Sequence, residues 1–250
     1  MTARLQNTTV IRGGQAILNG ATLDCAPGQL TAFCGPNGAG KTTALSVLTG
    51  ALIPDRGEAM LGGHPMRDLS PLVLARQRAV VSQVSRLGFP FQVHEVVAMG
   101  RAPHHGTSGQ KHDHGIVRCA IQAMDLLPLA ERNYLTLSGG ERQRTNIARA
   151  LAQIWDSPPS GATRWLFLDE PTAALDLKYQ ISLMRKLQVF AKEGWGIVAV
   201  LHDLQLVKDY ADHVVLFKGG GIVGSGSASD MLADASIHAT FDLDAPYSLA

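Results

Sequence analysis

The sequence predicts an α/β fold with a parallel central sheet and an inserted group of helices. The apolar run LTAFC leads into the glycine-rich stretch GPNGAGKT at 35–42, which leads into a helical spacing of apolar residues. The runs at 165–169 (WLFLD) and 197–201 (IVAVL) are apolar on both faces, as central parallel strands are. Residues 86–155 contain helical stretches with proline- and glycine-rich joints, which predicts a helical subdomain within the core.

The segment before GPNGAGKT predicts short strands separated by turns. Strands are expected at 8–12, 16–18 and 30–34, with turns at 13–14 and 27–28. The other predicted core elements are a helix over 41–52, a strand over 79–84, helices over 177–191 and 204–211, a strand over 214–217 and a hairpin over 218–229.

The helix over 177–191 is expected to bury one side and to end near Gly194. The residues predicted on that side are Leu177, Ile181, Met184, Leu187 and Ala191.

Composition excludes several classes of protein. The 250 residues carry a net charge of +1, so no basic field favours nucleic acid as a partner. No apolar run is long enough to span a bilayer, and the N-terminus has no apolar signal segment. We therefore expect a protein inside the cell whose membrane role, if it has one, comes through a partner.

The three cysteines lack metal-ligand spacing and predict reduced thiols. Cys34, next to the glycine-rich stretch, is expected to be a small buried apolar residue. Redox sensitivity is the alternative, and it requires exposure and a lowered pKa.

The stretch at 35–42 fits G-x-x-x-x-G-K-[ST], a loop whose backbone N–H groups bind nucleotide phosphates. Lys41 is expected against the β- and γ-phosphates, and the Thr42 hydroxyl on Mg²⁺. A glycine-rich turn that binds nothing is the alternative. The candidate nucleotide-binding residues are Gly35, Pro36, Asn37, Gly38, Ala39, Gly40, Lys41, Thr42 and Thr43.

Acidic and polar residues follow three of the predicted strands. Asp169 ends one strand and is a candidate Mg²⁺ partner, while Glu170 is a candidate general base that activates water. Gln83 lies at the end of a second predicted strand and His202 follows a third, and either one taken alone could equally cap a loop. The carboxyl ends of parallel strands face the ligand crevice, so all four side chains are candidates for one site.

The sequence LSGGE at 137–141 contains a capping box, Ser138-x-x-Glu141, which by itself indicates only a helix start. Gly139 and Gly140, however, leave the first turn without side chains, and bare N–H groups at a helix start attract anions. One phosphate loop is already present in the chain. We therefore expect Ser138, Gly139 and Gly140 to meet the phosphates held by a second copy.

In this order, the motifs resemble those of ABC transporter ATP-binding subunits along nearly the whole chain. GPNGAGKT is similar to Walker A, Gln83 to the Q-loop residue, LSGGE to the signature, WLFLDEP to Walker B, AALD at 173–176 to the D-loop and His202 to the switch histidine. Two departures are the lack of an aromatic residue to stack on adenine, for which Arg12 or Ile11 could substitute, and Ala173 in place of serine.

The resemblance implies a P-loop NTPase with a RecA-like core, an N-terminal antiparallel β part and an inserted helical subdomain. A single ABC domain would span 1–250, with the core at 1–85 and 156–250 and the helical subdomain at 86–155. It also implies ATP and Mg²⁺ as cofactors, with Thr42, Gln83 and Asp169 near the metal and Glu170, His202 and Gln83 as catalytic residues. Two copies would close head to tail over two ATP molecules.

The stretch FPFQVHEVVAMGRAPHHG resembles importers of iron chelates, haem and cobalamin, and the long link before Walker B favours haem. The resemblance then implies two transmembrane permease subunits, a periplasmic haem-binding protein as an indirect partner, and a peripheral place on the cytoplasmic face of the bacterial inner membrane. Ferric siderophore or cobalamin import is the first alternative. A soluble ABC ATPase acting on DNA or ribosomes, and a nucleotide-binding regulator without turnover, are more distant ones.

Two segments each have two interpretations from the sequence. The histidine-bearing segment 104–114 predicts a solvated loop, with a metal or haem contact as the alternative. The stretch from Gln83 to Arg101 is expected to contact the permease; its apolar residues Leu87, Phe89 and Phe91 could instead pack inside the helical subdomain.

Overall fold

A computed structural model describes residues 2–82, 87–107, 109–156, 162–244 and 249. The strands are β1 Ala3–Arg12, β2 Gln15–Cys25, β3 Leu30–Cys34, β4 Arg56–Leu61, β5 His64–Pro65, β6 Arg78–Val81, β7 Trp165–Asp169, β8 Gly196–Val200, β9 His213–Lys218 and β10 Gly221–Ser227. The helices are α1 Lys41–Leu48, α2 Pro71–Gln77, α3 Val93–Ala98, α4 Gln110–Ala123, α5 Gly139–Gln153, α6 Leu177–Lys192, α7 Leu204–Tyr210, α8 Ala228–Met231 and α9 Asp234–Phe241.

The first sheet is antiparallel, with strand order β2-β1-β4-β5. Gly13 and Gly14 join β1 to β2 with φ of 56° and 79°, the two positive angles of a type I′ hairpin turn. The predicted turn is confirmed, although both strands are longer than expected because they pair with each other and β1 also pairs with β4. The predicted antiparallel β part therefore exists as a separate sheet.

The second sheet has the order β10-β9-β3-β8-β7-β6. Its strands from β9 to β6 are parallel, and β10 returns antiparallel to β9 through the turn at 219–220. All residues of β3, β7 and β8 are buried, which confirms the expectation from their apolar runs. The predicted α/β class with a parallel central sheet is confirmed.

Alternation along the central strands divides the interior into two cores, because successive side chains point to opposite faces. Phe33, Trp165 and Phe167 lie in the core shared with the antiparallel sheet and α1. Leu166 and Leu168 lie in the core shared with α3 to α6. The central sheet therefore holds α1 on one face and the inserted helices on the other.

The inserted helices α3, α4 and α5 lie between β6 and β7 in the chain. The first is short, since a 3₁₀ segment, Met99–His104, replaces its continuation and contains Pro103. Gly100 lies in that segment, where an added Cβ would come 2.2 Å from the carbonyl oxygen of Arg149 on α5. The predicted helical character is confirmed, and the boundaries 86–155 stay a prediction. No helix in the described part of the chain is long and apolar enough to cross a membrane.

Two helix predictions need correction. The helix after the glycine-rich loop ends at Leu48 and not at 52, because Gly50 takes a left-handed backbone with φ of 72°. In α6, Leu177 is 65% exposed although it was placed on the buried side. It is the first residue after the N-cap Asp176, and the buried side chains of α6 are Leu183, Met184, Leu187, Phe190 and Ala191. The predicted end near Gly194 is confirmed by its φ of 88°.

The prediction of a solvated loop over 104–114 is confirmed for 105–107, which form an exposed turn, and is wrong for His104 and for 110–114. The α4 helix begins at Gln110, so His112 and His114 lie on a helix. His104 is buried, and its Nε2 lies 2.8 Å from the carbonyl oxygen of Gln153 at the end of α5. His112 also has a partner outside its own helix, since its Nε2 lies 2.8 Å from Oδ1 of Asp156.

Candidate functional site

The loop between β3 and α1 follows a path that only glycine permits at two of its positions. An added Cβ at Gly35, with φ of 144°, would lie 2.1 Å from the carbonyl oxygen of Phe217. At Gly40, with φ of 98°, it would lie 2.8 Å from the carbonyl oxygen of Ile17. Both positive angles are costly for other residues. Close packing against β9 and β2 therefore fixes the curl of the loop.

Lys41 opens α1 and is only 6% exposed. Its Nζ donates hydrogen bonds to the carbonyl oxygens of Gly35 (2.7 Å) and Pro36 (2.8 Å). Burial lowers the pKa of this ammonium group, while the acidic groups nearby act in the opposite direction. The cation is therefore held inside the loop at the start of a helix, where backbone N–H groups also favour anions.

Thr42 and Asp169 join the loop to the end of β7. The Thr42 hydroxyl donates to Oδ1 of Asp169 at 3.1 Å, and Asp169 is 7% exposed. Burial raises the pKa of this carboxyl above its ordinary value, more than the hydrogen bond from Thr42 lowers it. The structure thus keeps a carboxylate that is costly to ionise beside the phosphate loop.

A hydroxyl and a carboxylate oxygen are the hard donors that Mg²⁺ selects, so this pair fits the ion. Across the described residues, no group of three or more His, Cys, Asp and Glu side chains is arranged to hold a metal. The protein would therefore hold Mg²⁺ by few ligands, with phosphate oxygens and water completing the shell.

Glu170 follows Asp169 with a left-handed backbone, φ 49°, which is uncommon for a residue with a side chain. Its N–H donates to the carbonyl oxygen of Val200 at the end of β8 (3.2 Å), so the neighbouring strand fixes this turn. Its Oε1 lies 2.6 Å from Nε2 of His202, which follows β8. Two adjacent strand ends thus place a carboxylate and an imidazole in contact.

These groups face one cleft of about 160 Å³. The residues that line it are Ile17, Asn37, Gly38, Ala39, Gly40, Lys41, Thr42, Thr43, Glu170 and His202. The structure therefore brings together most of the residues that the motifs nominated. Ile17 was missed, because nothing in the sequence indicates that β2 passes over the phosphate loop.

Ser138, Gly139 and Gly140 lie elsewhere, at the start of α5. The expected capping box is present: Ser138 Oγ accepts from the N–H of Glu141 (3.2 Å), and the Glu141 carboxylate accepts from the N–H of Ser138 (2.7 Å). That second bond holds the pKa of Glu141 below its usual value. Gly140 lies against 174–175, since an added Cβ would come 3.0 Å from the carbonyl oxygen of Ala174.

Other nominated residues have mixed outcomes. Gln83 lies outside the described residues. Ile11 is 40% exposed, and the Arg12 guanidinium donates to the Ile11 carbonyl oxygen; neither residue lines the cleft. Cys34 is fully buried, and burial raises the pKa of its thiol to about 12, which matches a structural and unreactive role.

The aromatic pair after the Gln83 segment is only partly enclosed. Phe89 is 69% exposed, and its ring lies 6.2 Å from that of Phe91. Phe91 and Leu87 pack from the edge against the core that contains α3 to α6. Internal packing is therefore confirmed for Leu87 and Phe91, and contact of the exposed Phe89 with a permease stays a prediction.

Comparison with known proteins identifies relatives over nearly the whole chain. Residues 18–173 match the family described as ABC transporter. The chain is 40% identical to the hemin import ATP-binding protein HmuV of Rhizobium meliloti (strain 1021), covering 95% of this chain and 90% of that protein. It is 45% identical to the protein of the same name from Gloeobacter violaceus, covering 92% and 83%.

Solved structures agree with this comparison. An inward-facing "metal-chelate type ABC transporter" superposes with a TM-score of 0.80 at 26% identity, covering 97% of this chain and 89% of that chain. A dimeric ATP-binding cassette in a post-hydrolysis state, bound to ADP and Pi, superposes with a TM-score of 0.79 at 25% identity, covering 90% and 98%.

Asp169→Asn is expected to raise the thermal stability of the nucleotide-free protein near neutral pH. Because the folded-state pKa of Asp169 is raised, its carboxylate costs stability at neutral pH, and the cost disappears below the ordinary carboxyl pKa of about 4. Relief of roughly 1 kcal/mol would raise Tm by about 2–4 °C. Thermal unfolding at about pH 7.5 and at about pH 4, the ordinary carboxyl pKa, measures this effect. The difference in Tm between Asp169→Asn and the wild type should shrink as the pH falls.

Asp209→Asn is the control for this experiment, since Asp209 is exposed on α7 and away from the cleft. A Tm difference from the wild type of the same size and pH dependence in Asp209→Asn would show that the effect is not due to the burial of Asp169.

Proposed function

We propose that this chain, which belongs to the ABC transporter family, is the ATP-hydrolysing subunit of an importer that takes up haem. The observation that carries this proposal is the contact between Glu170 and His202 at the mouth of a phosphate loop that already holds Lys41 and the Thr42–Asp169 pair. A protein that only bound nucleotide would not need a carboxylate and an imidazole in contact there.

Each residue has a defined part in this proposal. Lys41 and the loop N–H groups would bind the β- and γ-phosphates, and Thr42 and Asp169 would hold Mg²⁺, which would neutralise phosphate charge. Glu170 accepts a proton from the attacking water, and the Nε2 contact of His202 holds that carboxylate in place. The balanced reaction converts ATP and water into ADP and phosphate.

The proposed active unit is a head-to-tail homodimer. The N–H groups of Gly139 and Gly140 stand at the start of a 15-residue helix, where no acceptor within the described residues faces them. In the dimer they would contact the γ-phosphate held by Lys41 of the partner copy. The dimeric state of the ADP-bound cassette with a TM-score of 0.79 supports this arrangement.

Haem is proposed as the cargo because relatives at 40–45% identity over more than nine tenths of this chain are hemin import proteins. The haem would cross the membrane through two permease subunits, with a periplasmic haem-binding protein delivering it. The ATPase would then lie peripherally on the cytoplasmic face of the inner membrane. The exposed ring of Phe89, with Leu87 and Phe91 beside it, is the proposed permease contact.

Glu170→Gln is expected to lower ATP turnover by about 10²–10⁴-fold and to leave ATP binding intact, because the amide keeps the shape and loses the base. Phosphate release and equilibrium binding of ATP measure the two effects, and gel filtration with ATP should reveal an accumulated dimer. Glu193→Gln, an exposed isosteric control at the end of α6, should behave as wild type. Unchanged turnover in Glu170→Gln would remove the general-base assignment.

Ser138→Arg is expected to block hydrolysis at the partner's site, because its bulk would occupy the space between α5 and the facing phosphates. Mixed dimers in which one copy also carries Glu170→Gln restrict turnover to the other copy. Ser138→Arg should then inhibit when it sits on the Glu170→Gln copy and spare activity when it sits on the active copy. The reverse pattern would rule out the head-to-tail arrangement.

The cargo assignment is tested by ATPase stimulation of the complex reconstituted in vesicles with its permease. Periplasmic binding protein loaded with haem is expected to raise turnover several-fold over the same protein without cargo. Stimulation by a carrier of ferric siderophore or cobalamin, with none by haem, would replace haem by that cargo and leave the ATPase assignment standing.

A further inference from the structure

Arg144 lies in the second turn of α5 and is 7% exposed. Its Nη1 donates to the carbonyl oxygens of Met124 and Asp125, both at 3.0 Å, just after the end of α4. Asp125 has a left-handed backbone, φ 55°, and its carboxylate also pairs with Lys186 of α6 at 2.5 Å. A strained turn is therefore held from two sides, by α5 and by α6.

The same guanidinium lies over an aromatic ring of α6. The Cζ atom of Arg144 lies 4.1 Å from the ring centroid of Tyr179, within the distance of a strong cation–π contact. The Nζ atom of Lys178 lies 5.7 Å from the same centroid, but Lys178 is exposed on the helix surface. Only the Arg144 contact is shielded from water, so only this contact is expected to be strong.

The turn that follows Glu170 lies between these two helices. On the α5 side, Gln143 Nε2 lies 3.4 Å from the carbonyl oxygen of Pro171, and Gly140 contacts Ala174. On the α6 side, Gln180 Nε2 donates to the carbonyl oxygens of Thr172 (3.2 Å) and Leu175 (3.0 Å). The backbone after the candidate general base is therefore enclosed by α5 and α6, and Arg144 and Tyr179 join those helices directly.

We propose that Arg144 and Tyr179 are positioning residues that fix the Ser138 end of α5 relative to the turn after Glu170. The proposal rests on the dimer described under Proposed function, in which that end completes the partner's site. Neither residue contacts substrate. Their contact sets where Ser138, Gly139 and Gly140 stand when they are presented to the other copy.

Tyr179→Leu tests this proposal, since it removes the ring from a partly buried position and keeps an apolar side chain. Mixed dimers with one Glu170→Gln copy again restrict turnover to a single site. Tyr179→Leu on the Glu170→Gln copy should lower kcat at the partner's site by roughly 5–30-fold, the range of one cation–π contact. The same change on the active copy should lower kcat much less, and ATP binding to each copy should be unchanged.

Tyr179→Phe keeps the aromatic face and should restore wild-type turnover. Lys178→Ala removes the exposed cation over the same ring and should have no effect. Arg144→Lys keeps the charge, loses the planar guanidinium over the ring, and should reproduce the asymmetry of Tyr179→Leu. Thermal unfolding of each variant checks that the fold is retained.

Ser138→Arg, run in the same mixed dimers, separates the two possible failures. If Ser138→Arg acts across the dimer while Tyr179→Leu acts equally on both copies or on neither, the positioning role is overturned and the proposed function stands. If Ser138→Arg acts only within its own copy, the dimer arrangement itself fails.

Discussion

Asp169 places a carboxylate at the end of a strand whose other residues are apolar and fully enclosed, and the geometry of the site follows from how that charge is accommodated. The strand brings it to the edge of the sheet, where the hydroxyl of Thr42 donates to it. Its raised pKa shows that this donation does not balance the loss of water. The folded protein therefore keeps an electrostatic cost at the point where a bound cation would offset it.

The neighbouring strand determines what surrounds this carboxylate. Because β7 and β8 are parallel, with Asp169 opposite Val200, the segments that follow the two strands leave the sheet at the same edge. The Val200 carbonyl oxygen accepts the N–H of Glu170 and so supports its left-handed backbone. Two residues further on, His202 meets the Glu170 carboxylate. The sheet thus stabilises an uncommon backbone conformation at Glu170, and this conformation orients the Glu170 side chain towards His202.

Features encoded in adjacent residues could be predicted from the sequence. The buried strands β3, β7 and β8, the hairpin at 13–14 and the capping box of α5 each depend on a few neighbouring residues, and the structure contains them all. The cluster of Lys41, Thr42, Asp169, Glu170 and His202 could be predicted as well, because parallel strand ends must meet at one edge.

Features that depend on distant segments could not be predicted. The burial of His104 comes from the carbonyl oxygen of Gln153, and the need for glycine at position 35 comes from the backbone of Phe217. Leu177 is exposed at the start of α6 although it fits the apolar spacing of that helix. Helical spacing gives the width of an apolar stripe and not the neighbours that cover it.

The far end of α5 shows why its Ser138 end needs a separate support. The final carbonyl oxygens of the helix, from Ala152 and Gln153, accept from Arg101 and contact His104, so cationic and imidazole groups complement the negative end of the helix. The side chain of Gln153 also donates to the carbonyl oxygens of Ala75 and Arg78, which ties this end to the sheet edge at β6.

A helix that is fixed at one end can still rotate about that end. Because the helix rises about 1.5 Å per residue, a small rotation produces a large displacement of its first residues. The contacts of Gly140, Gln143 and Arg144 with the 171–179 region oppose that swing. Of these, only the Arg144 contact reaches α6, a helix seated on the central sheet. The contact with α6 therefore sets the position of the Ser138 end of α5 relative to the central sheet, whose edge presents Asp169 and Glu170.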